Sequence, residues 1–285
     1  MTRTTVEFRE DLAADHVILD DKEVSGAALD RISHHLDHFR KLAQISTFAS
    51  VKSKNNFPAG AGIASSASGF SALTVAAAGS LGLTLSEREL SSLARLGSGS
   101  ASRSVPAGFV EWYPGETHEA SYAESIAAPD HWNLIDLVAI VNKGHKSTGS
   151  TEGHALAGTS VLQAARVQSV PERLKMCREA ILNRDFATFA EVVEADSNIM
   201  HAVMMTSKPA LFYWTPETVA IMALVRSWRI EGLNVCYTID AGPNVHCICT
   251  PDTEQLLMHR LVNLPGVLEV RRADAGRGAY IESIE

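Results

Sequence analysis

Along the 285 residues, the spacing of apolar positions switches between a period of two and a period near 3.6, and the switches outline the elements. Residues 4–8 and 16–24 predict two strands of a meander, with the Asp-Asp pair at 20–21 as a turn. From 27 to 44, Leu29, Ile32, Leu36, Phe39 and Leu42 recur at helical spacing. A short strand is predicted at 48–53. The stretch NNFPAGAGIASSASGFSALTVAAAGSLGL, 55–83, opens as a loop punctuated by Pro58, Gly60 and Gly62. It continues as a helix of Ala, Ser and Gly, which has so few large side chains that it must pack closely on a neighbour. Ser86 and Glu89 form a capping box that opens a helix over 87–96. LGSGSASRS, 96–104, predicts another loop-to-helix junction, and strand patterns return at 107–113 and 134–142.

Beyond about residue 131 helical patterns dominate, at 152–168, 171–183, 186–204 and 216–231. Strand patterns at 234–240 and 244–250 precede a helix at 253–262 and strands at 267–272 and 278–284. Mixed helices and antiparallel strands point to an α+β class rather than alternating βαβ units. The length suits two domains or one large one, and no repeat or low-complexity linker separates the halves.

Composition narrows the function classes. With 46% hydrophobic and 20% charged residues, the chain can bury a core without metal or disulfide staples. A net charge of −8, with no Lys/Arg block longer than a pair, argues against a nucleic-acid partner. Cys177, Cys236, Cys247 and Cys249 form no CxxC pair and read as free, buried thiols of a reducing compartment. The first five residues are polar, and no run of 18 apolar residues exists, so the reading is a cytoplasmic protein. His34 and His38 lie one helical turn apart without an HExxH frame, which favours a solvated face over a metal pair.

Four stretches can carry chemistry. A glycine- and serine-rich loop feeding a helix, 58–69, exposes unpaired N–H groups where the macrodipole is positive, and so suits phosphate. Ser65, Ser66 and Ser68 add hydroxyls; the alternative is a tightly packed small-residue helix. In 97–104, Ser98, Ser100 and Arg103 can converge on an anion, or the stretch is a loop with a surface arginine. In KGHKSTGSTEGH, 143–154, Ser150 and Thr151 precede a helix as a plain cap or as a cap with room for phosphate. Asp240 ends a strand against the turn Ala241-Gly242-Pro243-Asn244, as a base, orienter or metal ligand, or as an Asx-turn residue bonding its own backbone.

Taken together, NNFPAGAGIASSASGFSAL, GSGSASRS and YTIDAGPN resemble the signature motifs of mevalonate diphosphate decarboxylases, within the GHMP kinase superfamily. RDFATFAEVVEADSNIMHA, 184–202, resembles a helical segment of the same family, and the order and separations agree over nearly the whole chain. The resemblance implies a two-lobed GHMP-kinase-like α+β fold. Residues 1–131 would be an α/β lobe with a left-handed βαβ-type nucleotide site, and 132–285 a ferredoxin-like α/β lobe carrying the catalytic Asp. It implies ATP-dependent decarboxylation of mevalonate 5-diphosphate to isopentenyl diphosphate, with Mg2+ and usually as a homodimer. Gly60, Gly62, Ser65, Ser66, Ser68 and Ser150 match the ATP site, with Ser66 as a metal ligand. Ser98, Ser100, Arg103 and Asp240 match the substrate site, with Asp240 and Arg103 catalytic. The family's Lys-Tyr-Trp-Gly-Lys-like first strand has no counterpart in residues 1–25, so the chain is expected to start past that segment. Mevalonate 5-phosphate as substrate, a kinase without decarboxylation, and a non-catalytic binding protein are the alternatives.

Overall fold

In the computed structural model, which describes residues 1–57, 65–144 and 150–282, the chain divides into two compact units. Among the described residues, one unit holds 1–57, 65–128 and 276–282, and the other holds 129–144 and 150–275.

The first unit is built on a sheet of β1 (Thr2–Arg9), β2 (His16–Leu19), β3 (Lys22–Glu23) and a later strand. Asp20 and Asp21 turn the β2–β3 hairpin with φ of 48° and 63°, the left-handed pair that a tight hairpin demands and that Asp tolerates. Helix α1 (Ala27–Ala43) leads to β4 (Phe48–Asn55), which lies between β1 (antiparallel) and β2 (parallel), giving the order β1-β4-β2-β3. The buried stripe of α1 is Ile32, His35, Leu36, Phe39 and Arg40. Leu42, counted in the apolar stripe from its spacing, is 50% exposed. Arg40 is buried instead, because Asp15, Asp37 and the Thr47 carbonyl satisfy its guanidinium. His35 is likewise buried, with Nε2 2.8 Å from Thr74 Oγ1 on the next helix.

That helix, α2 (Ser65–Ser80), is the small-residue helix anticipated above. It packs against β1 and against a 3-10 helix, Gly99–Ser104, and buries Ala67, Phe70, Leu73, Ala77 and Ala78. Between them runs α3 (Glu87–Gly97), opened by the Ser86–Glu89 capping box. A hairpin of β5 (Phe109–Tyr113) and β6 (Tyr122–Ala127) follows; β6 was not anticipated, because its SYAESI pattern is half polar.

The second unit holds β7 (Ile135–Ile140), α4 (Ser150–Ala157), α5 (Gln163–Asn183), α6 (Phe186–Met205) and α7 (Pro216–Ile230). The strands β8 (Val235–Thr238) and β9 (Val245–Cys249), helix α8 (Pro251–Val262) and β10 (Glu269–Asp274) complete it. Its sheet runs β10-β7-β9-β8, antiparallel throughout. One face, with Leu137, Ala139, Val235, Tyr237, Val245 and Cys247, buries Ile221, Val225 and Trp228 of α7 and Leu257 and Leu261 of α8.

Two expectations are corrected here. The break expected at Pro171 lies earlier: Gly158, Thr159 and Ser160 end α4, and α5 runs through Pro171. Pro171 leaves the Val167 carbonyl without its ladder N–H, and in the turn before it the Ser169 hydroxyl donates to the Ala165 and Arg166 carbonyls and the Arg173 guanidinium to the Arg166 carbonyl. The strand expected at 278–284 is absent among the described residues: Gly278 turns with φ 77°, and Ala279 N bonds the Val105 carbonyl of the first unit. Of the cysteines, Cys177 is only half-buried and the other three are buried, with no disulfide among the described residues.

Gly97 closes α3 where a Cβ would lie 2.0 Å from Cδ1 of Phe70. We expect Gly97→Ala to destabilise the chain by about 1–3 kcal/mol, as overpacking does, and denaturant melts would measure it.

Candidate active site

The two anion-seeking stretches meet. Ser66, in the first turn of α2, shares a hydrogen bond with Ser98 (3.2 Å), and Ser98 Oγ lies 3.5 Å from Ser100 Oγ. Three hydroxyls thus gather where two helices begin, and Ser66 and Ser98, 32 positions apart in sequence, are in contact. Ser98 is both the C-cap of α3 and the N-cap of the 3-10 helix, in an extended conformation. Its place is held by Arg31, which donates twice to the Gly97 carbonyl (2.6 and 3.1 Å) while its Cζ stands 4.8 Å from the Phe70 ring centre. Arg103 is exposed, and its Cζ is 5.8 Å from the Trp112 ring centre. The Trp112 indole N–H is anchored on Ser121 Oγ at 3.1 Å, which makes it a fixed platform for the guanidinium. Ser68 is turned elsewhere. Thr2 Oγ1 donates to Asn55 Oδ1 (2.6 Å), so the 2.7 Å contact with Ser68 has Ser68 as donor, tying α2 to β1. Gly60 and Gly62 lie outside the described residues, as do the side chains of Ser65 and Ser150.

Asp240 follows β8 in the second unit. Ile239 is buried in the core while Asp240 is exposed, so the alternation of the strand carries through to the acid. β8 is an edge strand, and its outer edge is completed by side chains of α6 instead of another strand. Tyr237 N donates to Glu194 Oε1 (3.3 Å), Ile239 N to Ser197 Oγ (3.1 Å), and His201 Nε2 donates to the Ile239 carbonyl (3.1 Å). Arg229 holds Glu194 in a two-pronged pair at 2.6 and 2.8 Å and also donates to the Val235 carbonyl. Burial holds His201 below the ordinary imidazole range, so it is a neutral N–H donor.

The turn after Asp240 is fixed from two further sides. Thr218, in the capping box that opens α7, donates to the Pro243 carbonyl at 2.6 Å. The buried Asn244 carboxamide accepts from Val141 N and Asn142 N (2.9 and 3.1 Å) and donates to the Asn142 carbonyl (3.1 Å). Asp240 therefore stands on a rigid turn with its carboxylate open, which suits an acid that must meet a ligand.

These positioning residues escaped the sequence reading. Glu194, Ser197 and His201 recur at helical spacing along one stripe of α6, a polar line in an otherwise apolar segment, and that was the available signal. Arg31 and Thr218 carried none, because their partners are distant in sequence; Asn244 stood in the YTIDAGPN motif, but nothing local showed its bonds to Val141 and Asn142.

Comparison with known proteins bears on the whole chain. Residues 1–123 match the model of the diphosphomevalonate decarboxylase-like N-terminal domain, and 136–271 that of the mevalonate 5-diphosphate decarboxylase C-terminal domain. The chain belongs to the diphosphomevalonate decarboxylase family. Diphosphomevalonate decarboxylase of Aspergillus fumigatus is 41% identical over 81% of this chain and 62% of its own length. Phosphomevalonate decarboxylase of Haloferax volcanii is 33% identical over 88% of this chain and 77% of its own. A solved structure described as MDDEF in complex with MVAPP, AMPPCP and magnesium is 36% identical, with a TM-score of 0.91 over 97% of this chain and 85% of that one. This decarboxylase-family chain spans only 55–62% of the length of three of its curated relatives. The GHMP kinase fold expected from the motifs is the fold of the molecule.

One feature of the unit is specific to pH. On the sheet face away from α7 and α8, His246 Nδ1 is 2.7 Å from Asp136 Oδ2. Burial opposes a charged ring here, but the charge and hydrogen bond of Asp136 prevail and raise its pKa to about 9. A group raised in the folded state contributes stability that is complete below its unfolded value of about 6.5 and is lost as pH rises through about 9. The melting temperature is therefore expected to fall from pH 6.5 to 9.5 more steeply in the wild type than in His246→Gln; parallel curves from calorimetry would contradict the assignment.

Proposed function

We propose that this chain catalyses the ATP-dependent decarboxylation of mevalonate 5-diphosphate to isopentenyl diphosphate, releasing ADP, phosphate and CO2. The observation that carries the reading is the exposed Asp240 carboxylate on its three-sided mount, in a chain whose other two motifs meet at Ser66 and Ser98. We assign 1–131 to the nucleotide- and phosphate-binding domain and 132–285 to the domain bearing the acid.

A tertiary alcohol is a poor nucleophile. Asp240 orients the 3-hydroxyl and takes its proton as the γ-phosphoryl group of ATP arrives. The phosphate then leaves with the C3–O bonding pair. The carboxylate departs as CO2, and the C1–C2 pair becomes the C2=C3 double bond, so no external oxidant or reductant is needed. Ser98, Ser100 and Arg103 hold the substrate's anionic groups, and the planar guanidinium fits two oxygens at once. Gly60, Gly62, Ser65, Ser66 and Ser150 are assigned to the ATP phosphates; Ser68, matched to that site from its motif, is left out because its hydroxyl is given to Thr2 on β1.

Among the described residues no group of three or more His, Cys, Asp or Glu could cage a metal. Mg2+ is a hard cation that binds few protein oxygens and several phosphate oxygens, and the Ser66 hydroxyl is a donor of the right kind. When bound, the ion supplies charge neutralisation on the transferring phosphoryl group. Among the described residues no helix is long and apolar enough to cross a membrane. A cytoplasmic homodimer is the state we infer from the family resemblance, and a monomer in sedimentation velocity would contradict it.

The Haloferax relative, named for the monophosphate substrate, favours a second reading, in which mevalonate 5-phosphate is decarboxylated to isopentenyl phosphate. Steady-state assays with both substrates decide: equal or better turnover of the monophosphate overturns the first reading. Asp240→Asn is expected to abolish release of ADP and CO2 while substrate binding stays within about tenfold. A loss of binding as large as the loss of rate would remove the acid from that role. Arg103→Lys is expected to be damaging, because a point charge cannot replace a planar fork, and wild-type kcat/KM for it would move Arg103 out of the site.

A further inference from the structure

We propose that Trp112 is a positioning residue of the substrate site, and that its one indole sets both the serine pair Ser98–Ser100 and the Arg103 guanidinium. The inference deepens the reading of those three residues as holders of the substrate's anionic groups, and rests on it.

The three residues lie on one short piece of chain. Gly99–Ser104 form the 3-10 helix, Ser98 is its N-cap, and Arg103 stands in its last turn. A 3-10 helix has poor hydrogen-bond geometry and little stability of its own, so its shape must be fixed from outside. The β5–β6 hairpin packs against it, and Trp112 of β5 reaches it at two points.

The first point is Gly99, between the two serines. A Cβ there would stand 3.3 Å from Cη2 and 3.7 Å from Cζ3 of Trp112, so the outer indole ring lies against bare backbone. The second is Arg103, whose Cζ is 5.8 Å from the ring centre and within cation–π reach. The indole is rigid, so the spacing between its two contacts is fixed by covalent geometry. A shift of the ring moves the serines and the guanidinium together.

The ring in turn is held by its own element and by α3. Its N–H donates to Ser121 Oγ at 3.1 Å. Ser121 is buried, and its carbonyl accepts from Ser92 Oγ (3.3 Å) and Arg95 Nε (3.2 Å) of α3. Trp112 is registered opposite Ala123, whose N–H donates to Ser91 Oγ of α3 at 2.8 Å. The Ser91 hydroxyl then donates to the Ser102 carbonyl of the 3-10 helix at 3.0 Å. Hairpin, α3 and 3-10 helix thus close a ring of contacts, in which the indole is the member that meets Gly99 and Arg103. A tryptophan that merely covered apolar surface would show neither contact with the substrate residues.

The test measures equilibrium binding of mevalonate 5-diphosphate to the full chain without nucleotide, beside steady-state kinetics. Trp112→Phe is expected to weaken substrate binding and raise its KM by about tenfold, while the KM for ATP stays within about twofold. Ser121→Ala, which removes the anchor and leaves the ring, is expected to act in the same direction by a smaller factor. Gly99→Ala, whose methyl presses on the indole, is expected to weaken binding in the wild type and to add nothing in Trp112→Phe, where a phenyl ring ends short of the methyl. Wild-type substrate affinity in Trp112→Phe overturns the proposal, as do effects of Gly99→Ala and Trp112→Phe that multiply. An equal loss for ATP and substrate, the mark of a structural role alone, also overturns it. If Arg103→Lys is impaired and Trp112→Phe is not, the proposal alone falls; if both bind substrate as the wild type does, the reading of Arg103 falls with it.

Discussion

The exposed edge of β8 is the constraint on which the second unit depends. A strand at the end of a sheet presents unpaired N–H and C=O groups that water or another chain would otherwise bond. Here one stripe of α6 does that work, through the Glu194, Ser197 and His201 side chains on the backbone of residues 237 and 239. The arrangement closes the edge and fixes where the strand ends. Asp240 is the next residue, so the same bonds that protect the sheet aim the acid. A main-chain partner would have satisfied the edge equally well, but it would have covered the end of the strand.

The arrangement stabilises the fold only while it is complete. Glu194 is buried and acceptable because Arg229 meets both its oxygens. A half-made buried pair leaves a desolvated charge and costs far more than the intact pair contributes. His201 is neutral for a related reason: burial against Trp214 and Tyr213 removes the charged form, and the remaining N–H has an acceptor in the Ile239 carbonyl. Glu194, Arg229, Ser197 and the His201 N–H each have a partner, whereas the buried Tyr213 hydroxyl and Trp214 N–H beside the imidazole have none among the described residues.

In the first unit the equivalent device is steric. Gly97 admits the Phe70 ring, and at Gly99 a Cβ would stand 3.3 Å from the Trp112 ring. The small residues of α2 let that helix lie close to the 3-10 helix. Close approach is what brings Ser66, at the start of α2, to Ser98, at the start of the 3-10 helix. Arg31 and Trp112 then act as struts beneath Ser98 and beside Arg103.

The sequence by itself determined most of the elements, with β6 and the segment 278–282 as exceptions, together with the class of fold and the motifs. Periodicity, the Ser86–Glu89 box and the Asp20-Asp21 turn are local, and each is decided by residues within a few positions of it. The candidate acid and the serine-rich starts were legible for the same reason. Where local signals conflicted with packing, packing decided. Arg40 displaced Leu42 from the core because Asp37, one turn back, and Asp15, 25 positions away, satisfied it, and α5 ran through Pro171 despite the missing N–H. The mount of Asp240 was legible only in three dimensions. Asn244 meets residues about a hundred positions away, and His246 meets Asp136 across 110, so only the closed sheet puts those partners side by side.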